Sequence, residues 1–242
     1  MPETPDIVVS INGVERDYHG LRPLRVRALR MRAGETVAIL GMDREQAEVF
    51  VNLVSAATLP DKGVVETLGQ PTTVVTSNEE WVRLLERVGI LSERAMLLGE
   101  MTVEQNLAMP FSLEVFDLPA DLRTRVESLA SEVGLPLELL KTPTAGLSLL
   151  MRARLRLARA IATEPSLLLA EHPNALVEET EAEAFGADIA RVIAERRMAA
   201  VILTANRLFA KAVARSVLVH DPATGDLTSA SLWRRWLSSR QT

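Results

Sequence analysis

The chain alternates between short runs that are apolar throughout and longer stretches in which apolar residues recur every three to four positions. Residues 166–170 (SLLLA) and 199–204 (AAVILT) are of the first kind, and 35–40 reads as a further buried strand. A strand with no polar face must be covered on both sides, so these runs predict central parallel strands. The second kind predicts amphipathic helices. Trp81, Leu84, Leu85 and Val88 fall at i, i+3, i+4 and i+7 across residues 79–88, and Phe185, Ile189, Val192 and Ile193 form one stripe within 180–197. Residues 6–11 and 24–31 read as strands of a small β layer joined by a turn at His19 and Gly20, and 64–68 and 89–92 as two further strands. From 102 to about 157 the pattern is helical with no strand between, which predicts a helical lobe inserted between strands. Residues 216–228 read as a hairpin turning at 222–225. Beyond it, Leu232, Trp233, Trp236 and Leu237 would share one helical face, with Arg234, Arg235 and Arg240 around it.

The fold class this predicts is α/β, with a mostly parallel core sheet, an N-terminal antiparallel β layer and the inserted lobe. We expect a single domain over 1–242, its core and β layer drawn from 1–92 and 161–242 and its lobe from about 93–160. With 48% apolar and 24% charged residues the chain is globular rather than disordered. A net charge of −5 argues against nucleic acid as the main partner. The absence of Cys removes disulfides and a thiolate nucleophile. His19, His172 and His220 lie far apart in sequence, without metal-ligand spacing, so no metal site is expected. No apolar run reaches the roughly 18–20 residues needed to span a bilayer, and no basic-then-apolar leader opens the sequence. A cytoplasmic chain that meets a membrane only through a partner is the expectation.

The candidate chemistry begins at residues 35–50, a strand, a tight turn at Gly41 and a helix opening near Asp43. A phosphate-binding loop in such a place reads G-x-x-x-x-G-K-[ST]. Gly41 keeps the first glycine, while Gln46, Ala47 and Glu48 stand where the second glycine, the lysine and the hydroxyl would be. Backbone N–H groups wrap an anion only where side chains leave room, and Arg44 and Gln46 bring side chains into that space. Ala47 cannot reach a phosphate, and Glu48 offers a carboxylate in place of a neutral magnesium ligand. The D-x-x-Q spacing of Asp43 and Gln46 instead predicts a capping box, with the Asp43 carboxylate at the positive end of the helix dipole. No two of the twelve glycines lie closer than six residues, so the sequence offers no other phosphate nest.

Four more segments follow in order. Residues 60–63 (PDKG) precede Leu68 and Gly69; Glu93 is followed nine residues later by Thr102, Val103 and Asn106. Leu147, Ser148, Leu149, Leu150 and Met151 open a helical run, and residues 171–178 read EHPNALVE. Together with 35–50, and over nearly the full length, this order resembles the nucleotide-binding subunit of an ABC transporter, with its P-loop NTPase-like fold. The segments match that family's P-x-x-G turn, its Q-loop with T-V-x-x-N, its LSGGQ signature and its D-E-P-T-S-A-L-D run. The resemblance implies that Glu93 stands for the Q-loop glutamine and Leu149, Leu150 and Met151 for the signature's Gly-Gly-Gln. It implies that Glu171 stands for the Walker B aspartate, His172 for the catalytic glutamate and Ala205 for the switch histidine. Tyr18 would be the adenine-stacking aromatic or simply a packed ring, and Ser148 is intact.

In that family two such subunits dimerise head to tail around ATP and magnesium and dock on a transmembrane permease. Here the resemblance implies no catalytic residue and no ATP or magnesium cofactor. It implies a non-catalytic scaffold or regulatory subunit of a membrane transport complex, partnered by a permease, an intact ATPase subunit, or a second copy. The other reading is a working ATPase rebuilt on Tyr18, Glu48, Glu171 and His172. The permease-facing groove would be lined by Met96, Leu97, Leu98 and Met101; the other reading is that Leu97 and Leu98 tuck under the lobe. The residues 149–151 either make an apolar contact or are buried in the lobe. Residues 101–111 are similar to those of lipid-transport subunits.

Overall fold

The structure, a computed structural model, describes residues 6–231. The apolar helical face predicted at Leu232, Trp233, Trp236 and Leu237 lies outside the described residues. The N-terminal β layer consists of β1 (Ile7–Arg16), β2 (Leu24–Arg32), β4 (Lys62–Thr67) and β5 (Gln70–Pro71), antiparallel in the order β2-β1-β4-β5. The first strand runs past the predicted 6–11 because Val14 is also buried, opposite Val26. The second sheet contains β3 (Thr36–Leu40), β6 (Val88–Ser92), β7 (Leu167–Glu171), β8 (Ala199–Leu203), β9 (Ser216–His220) and β10 (Leu227–Ser229). Its order is β10-β9-β3-β8-β7-β6, parallel except for β10, which returns antiparallel on β9 as the predicted hairpin.

The wholly apolar runs are explained by two separate cores. Alternate residues of a strand point to opposite faces. Val37 and Ile39, Leu167 and Leu169, and Val201 and Leu203 pack towards the antiparallel layer and α1 (Arg44–Val54). Ala38 and Leu40, Leu168 and Ala170, and Ala200 and Ile202 pack towards the helices on the other side. That second core takes in α3 (Val103–Ala108), α4 (Ala120–Glu132), α5 (Leu149–Ile161), α6 (Glu179–Arg196) and α7 (Arg207–Val213). Phe185 and Phe209 join α6 to α7 with ring centroids 6.2 Å apart.

One helix departs from its pattern. The periodic stripe at 79–88 becomes α2 (Asn78–Leu85), which buries none of its residues, and Val88 belongs to β6. A capping box of Ser77 and Glu80 starts α2, and the Trp81 indole N–H donates to the Ser55 carbonyl at 3.0 Å. The helix is held by its N-terminal cap, that hydrogen bond and the partly buried Leu84, so its apolar period overstates both its length and its burial. Within the described residues no helix is long and apolar enough to cross a membrane.

Gly89 sits in β6 where α5 ends. A Cβ there would run into the Ala160 carbonyl and approach the Pro165 ring to 3.0 Å. Overpacking of this kind costs about 1–3 kcal/mol, so Gly89→Ala should lower unfolding stability by that amount in urea denaturation.

Candidate functional site

Burial of the sheet on both faces leaves the carboxyl ends of the strands as the place where polar side chains first appear, as in other open α/β sheets. The turn after β3 is built on Gly41, at φ +95°, where a Cβ would lie 2.8 Å from the His220 carbonyl oxygen. The Asp43 carboxylate then accepts from the Gln46 backbone N–H at 2.8 Å, and the Gln46 side chain accepts from the Asp43 N–H at 3.4 Å. The predicted capping box is therefore formed. Gln46 and Ala47 are buried, Ala47 completely. Tyr18 stands beside this turn, half-buried on the core below the β layer. Burial, together with the nearby Asp43 and Glu45 charges, raises its phenol pKa against a hydrogen bond with Gln46.

The centre of the site is Arg94, which no motif in the sequence marks. Its guanidinium forms a two-pronged pair with Glu171, Nη2 to Oε2 at 2.7 Å and Nε to Oε1 at 3.3 Å. The same group reaches Glu48 on α1, Nη1 to Oε1 at 2.9 Å. Burial alone would lower the Arg94 pKa, but the hydrogen bond and charge of Glu171, with the charge of Glu48, raise it above the ordinary value. Arg44 pairs with Glu93 at 3.3 Å, and the second Glu93 oxygen is buried without a hydrogen-bond partner. Arg156 of α5 lies within the electrostatic reach of Glu93, and burial lowers its pKa. The cluster thus sets three carboxylates against three guanidiniums.

Glu48, Glu93 and Glu171, which come from separate parts of the sequence, are brought into this one network. The loop that carries Glu93 and Arg94 is fixed from below by α5, where Arg156 Nε donates to the Ala95 carbonyl at 3.3 Å and Arg159 Nη1 to the Met96 carbonyl at 2.7 Å. Burial lowers the Arg159 pKa as well.

Beside the network lies a cleft of about 750 Å³ lined by Asp43, Arg44, His172, Asn174, Ala205 and Arg207 among others. His172 takes a left-handed backbone, φ +44°, and its N–H donates to the Leu203 carbonyl at 2.9 Å. The ring is buried and Nε2 has no partner among the described residues. The Thr204 hydroxyl donates to Asn174 Oδ1 at 2.8 Å, and Asn206 Oδ1 caps α7 through the Leu208 and Phe209 N–H groups. Asn174 and Asn206 were not singled out in the sequence. Their Asx-type positions at a strand end and a helix start are the signal that could have found them.

The residues 147–151 lie apart from this cleft. Leu147 is buried, and Ser148 caps α5 by accepting from the Met151 N–H at 3.3 Å. Leu149 is exposed, while Leu150 and Met151 pack partly against the helical core. The predicted outward run is also divided. Met96 and Leu98 are exposed, but Leu97 and Met101 pack on the core, a correction to the expectation that all four face outward. The alternation follows from the loop backbone, pinned at Met96 by Arg159 and at Leu98 by Asn106, whose Oδ1 accepts from the Leu98 N–H at 3.0 Å. Leu113 and Phe116, further along, are more exposed than Leu98 and were overlooked in the sequence.

Comparison with known proteins follows the same lines. A family model described as ABC transporter matches residues 24–175. The lipoprotein-releasing system ATP-binding protein LolD of Alcanivorax borkumensis is 30% identical over 213 residues, covering 87% of this chain and 92% of that protein. Among solved structures, cbiO1 from Clostridium perfringens, part of the ABC transporter complex cbiONQ, superposes with a TM-score of 0.71 at 20% identity, over 89% of this chain and 85% of that one. A dimeric ATP-binding cassette in a post-hydrolysis state, bound to ADP and Pi, gives the same TM-score at 18% identity, over 87% and 93% of the two chains.

Two outcomes test the site's architecture. Asp43→Ala removes a helix cap and should lower stability by about 1 kcal/mol in chemical denaturation. A double-mutant cycle on Arg94→Met and Glu171→Gln should give a coupling of about 1–2 kcal/mol, between the values of exposed and buried pairs because Arg94 is half exposed.

Proposed function

Since the chain belongs to the ABC transporter family, we propose that it is a cassette-shaped subunit of a membrane transport complex that neither holds nor hydrolyses nucleotide. One observation carries the reading: Arg94 supplies the positive charge that Glu48 and Glu171 face. A magnesium–phosphate group would have to displace that guanidinium from the two carboxylates it already neutralises. Further support comes from the helix start, where the Asp43 carboxylate takes the N–H group an anion would use. Ala47 is fully buried and carries no charge to a phosphate. The residues present do not fit magnesium-bound triphosphate, and no hydrolytic step is assigned to His172.

On this reading residues 147–151 and the altered 41–48 loop are two half-sites that a homodimer could not complete. The partner is then a permease or an intact ATPase subunit, and the chain reaches the membrane through it. Met96 and Leu98, exposed on a loop that α5 holds rigid, are the residues we assign to that contact. The division into a core with β layer at 1–92 and 161–242, and a lobe at about 93–160, belongs to the same reading.

Calorimetry with Mg-ATP tests the proposal on the isolated chain. Binding no tighter than about millimolar, roughly 4 kcal/mol of affinity, is the expected result. Micromolar affinity would favour the rebuilt-site alternative on Tyr18, Glu48, Glu171 and His172. The variant Ala47→Lys should remain without ATPase turnover, because a lysine alone leaves Arg94, His172 and Ala205 in place; measured turnover would contradict the reading.

A further inference from the structure

At the opposite ends of the strands from the Arg94 network the molecule carries a second, larger groove. It measures about 860 Å³ and runs between the start of β3, the last turns of α6 and the end of α7. The apolar surface it leaves open on its floor is that of Ala190, Ala194, Ala212 and Leu218, above the buried Leu29, Val37, Ile193 and Val213. Arg30, Arg197, Lys211 and Arg215 stand on its rim, all exposed. A smaller cavity of about 480 Å³ shares Lys211 and Arg215 and extends the groove to Arg207. None of these five cations makes an ion pair or side-chain hydrogen bond among the described residues. The one carboxylate on the rim, Glu35, already accepts from the Arg32 N–H at 2.9 Å.

A row of unpaired cations is unusual in a chain of net charge −5. Like charges brought together without partners repel, so their grouping is a standing cost that an anionic partner would relieve. Three properties select the partner. The groove is concave with an apolar floor, so a flat lipid surface could touch the rim cations but not the floor. Its lining contains no aromatic side chain on which a nucleobase could stack. Arg207 and Lys211 lie one helical turn apart, about 6 Å along the axis, with Arg215 just past the end of α7. Carboxylates on alternate residues of an extended chain recur at about 6.6–6.8 Å, which matches that spacing and points the intervening residues at the floor.

We propose that this groove docks an extended acidic segment of a partner protein, with glutamate or aspartate alternating with aliphatic residues. The carboxylates pair with Arg207, Lys211 and Arg215, and the aliphatic residues cover Ala194, Ala212 and Leu218. The groove of about 860 Å³ is separate from the Arg94 network; only its extension, at Arg207, borders the cleft beside that network.

The test uses the full chain and a fluorescein-labelled peptide of alternating glutamate and leucine, followed by anisotropy. Saturable binding is expected, weakening as sodium chloride rises from about 50 to about 500 mM because exposed charges become screened. Lys211→Glu and Arg215→Glu should each weaken binding about tenfold or more, while Arg22→Glu, an exposed arginine outside the groove, should leave it unchanged. Replacing the peptide's leucines with serine should also weaken binding, since the floor then loses its contact. Thermal melts of the exposed-site variants check that the fold is kept. Equal binding by the wild type and both groove reversals would overturn the proposal. So would binding of phosphatidylserine vesicles or single-stranded RNA by a chain that ignores the peptide.

Discussion

Burial of β3, β8 and β7 on both faces dictates where this molecule can carry charge. Every residue of β7 and β8 is out of solvent, and their side chains are divided between two cores that never meet. An ionised group inside either core would be left without water or partners, at a cost of several kcal/mol. Polar chemistry is therefore confined to the two ends of the sheet. At the carboxyl ends the chain assembles Glu171, Thr204, Asn174 and the capped start of α1; at the other ends it leaves a cationic rim.

The carboxyl-end site is organised by arginine rather than by backbone amides. A guanidinium presents a planar fork that fits a carboxylate with two hydrogen bonds, and it stays charged in places where a lysine would lose its proton. Arg94 uses one edge of that fork on Glu171 and the remaining nitrogen on Glu48, which ties β7 to α1 through the loop after β6. Arg156 and Arg159 then fasten the same loop to α5 through the Ala95 and Met96 carbonyls. Beside the apolar packing, the polar link from the sheet to α5 thus passes through arginine side chains. Movement of α5 would be felt at Glu171 without any change in β7 itself.

Local features were legible in the sequence. The D-x-x-Q spacing of Asp43 and Gln46 specified a cap whose partners are three residues apart, and the apolar runs at 166–170 and 199–204 specified strands covered on both sides. Features made by distant residues were not. Arg94 pairs with partners 46 and 77 positions away, so nothing near it in the chain distinguishes it from a solvated arginine. The seven residues of α7 are too few for a helical period to declare itself, and their start is set by Asn206. The stripe at 79–88 failed for the opposite reason. A period over two turns shows which residues could face a core, but whether a core is there depends on the rest of the fold. Leu97 and Leu98 likewise differ through a loop backbone held by Asn106, Thr144 and Arg159, which sequence neighbours cannot reveal.

The internal pairing of Arg94 also bears on how long the molecule lasts in a cell. A protein whose folded form alone binds a ligand gains stability with ligand concentration and loses it when the ligand runs short. Here the cation opposite Glu48 and Glu171 is part of the polypeptide and cannot be washed out, chelated or consumed. On the proposed reading its persistence would not follow the supply of nucleotide or magnesium. An assembly that includes it would keep one rigid, fully formed member through starvation, when subunits that rely on bound ligand are at their most labile. Such a member could serve as the template on which the others are reloaded.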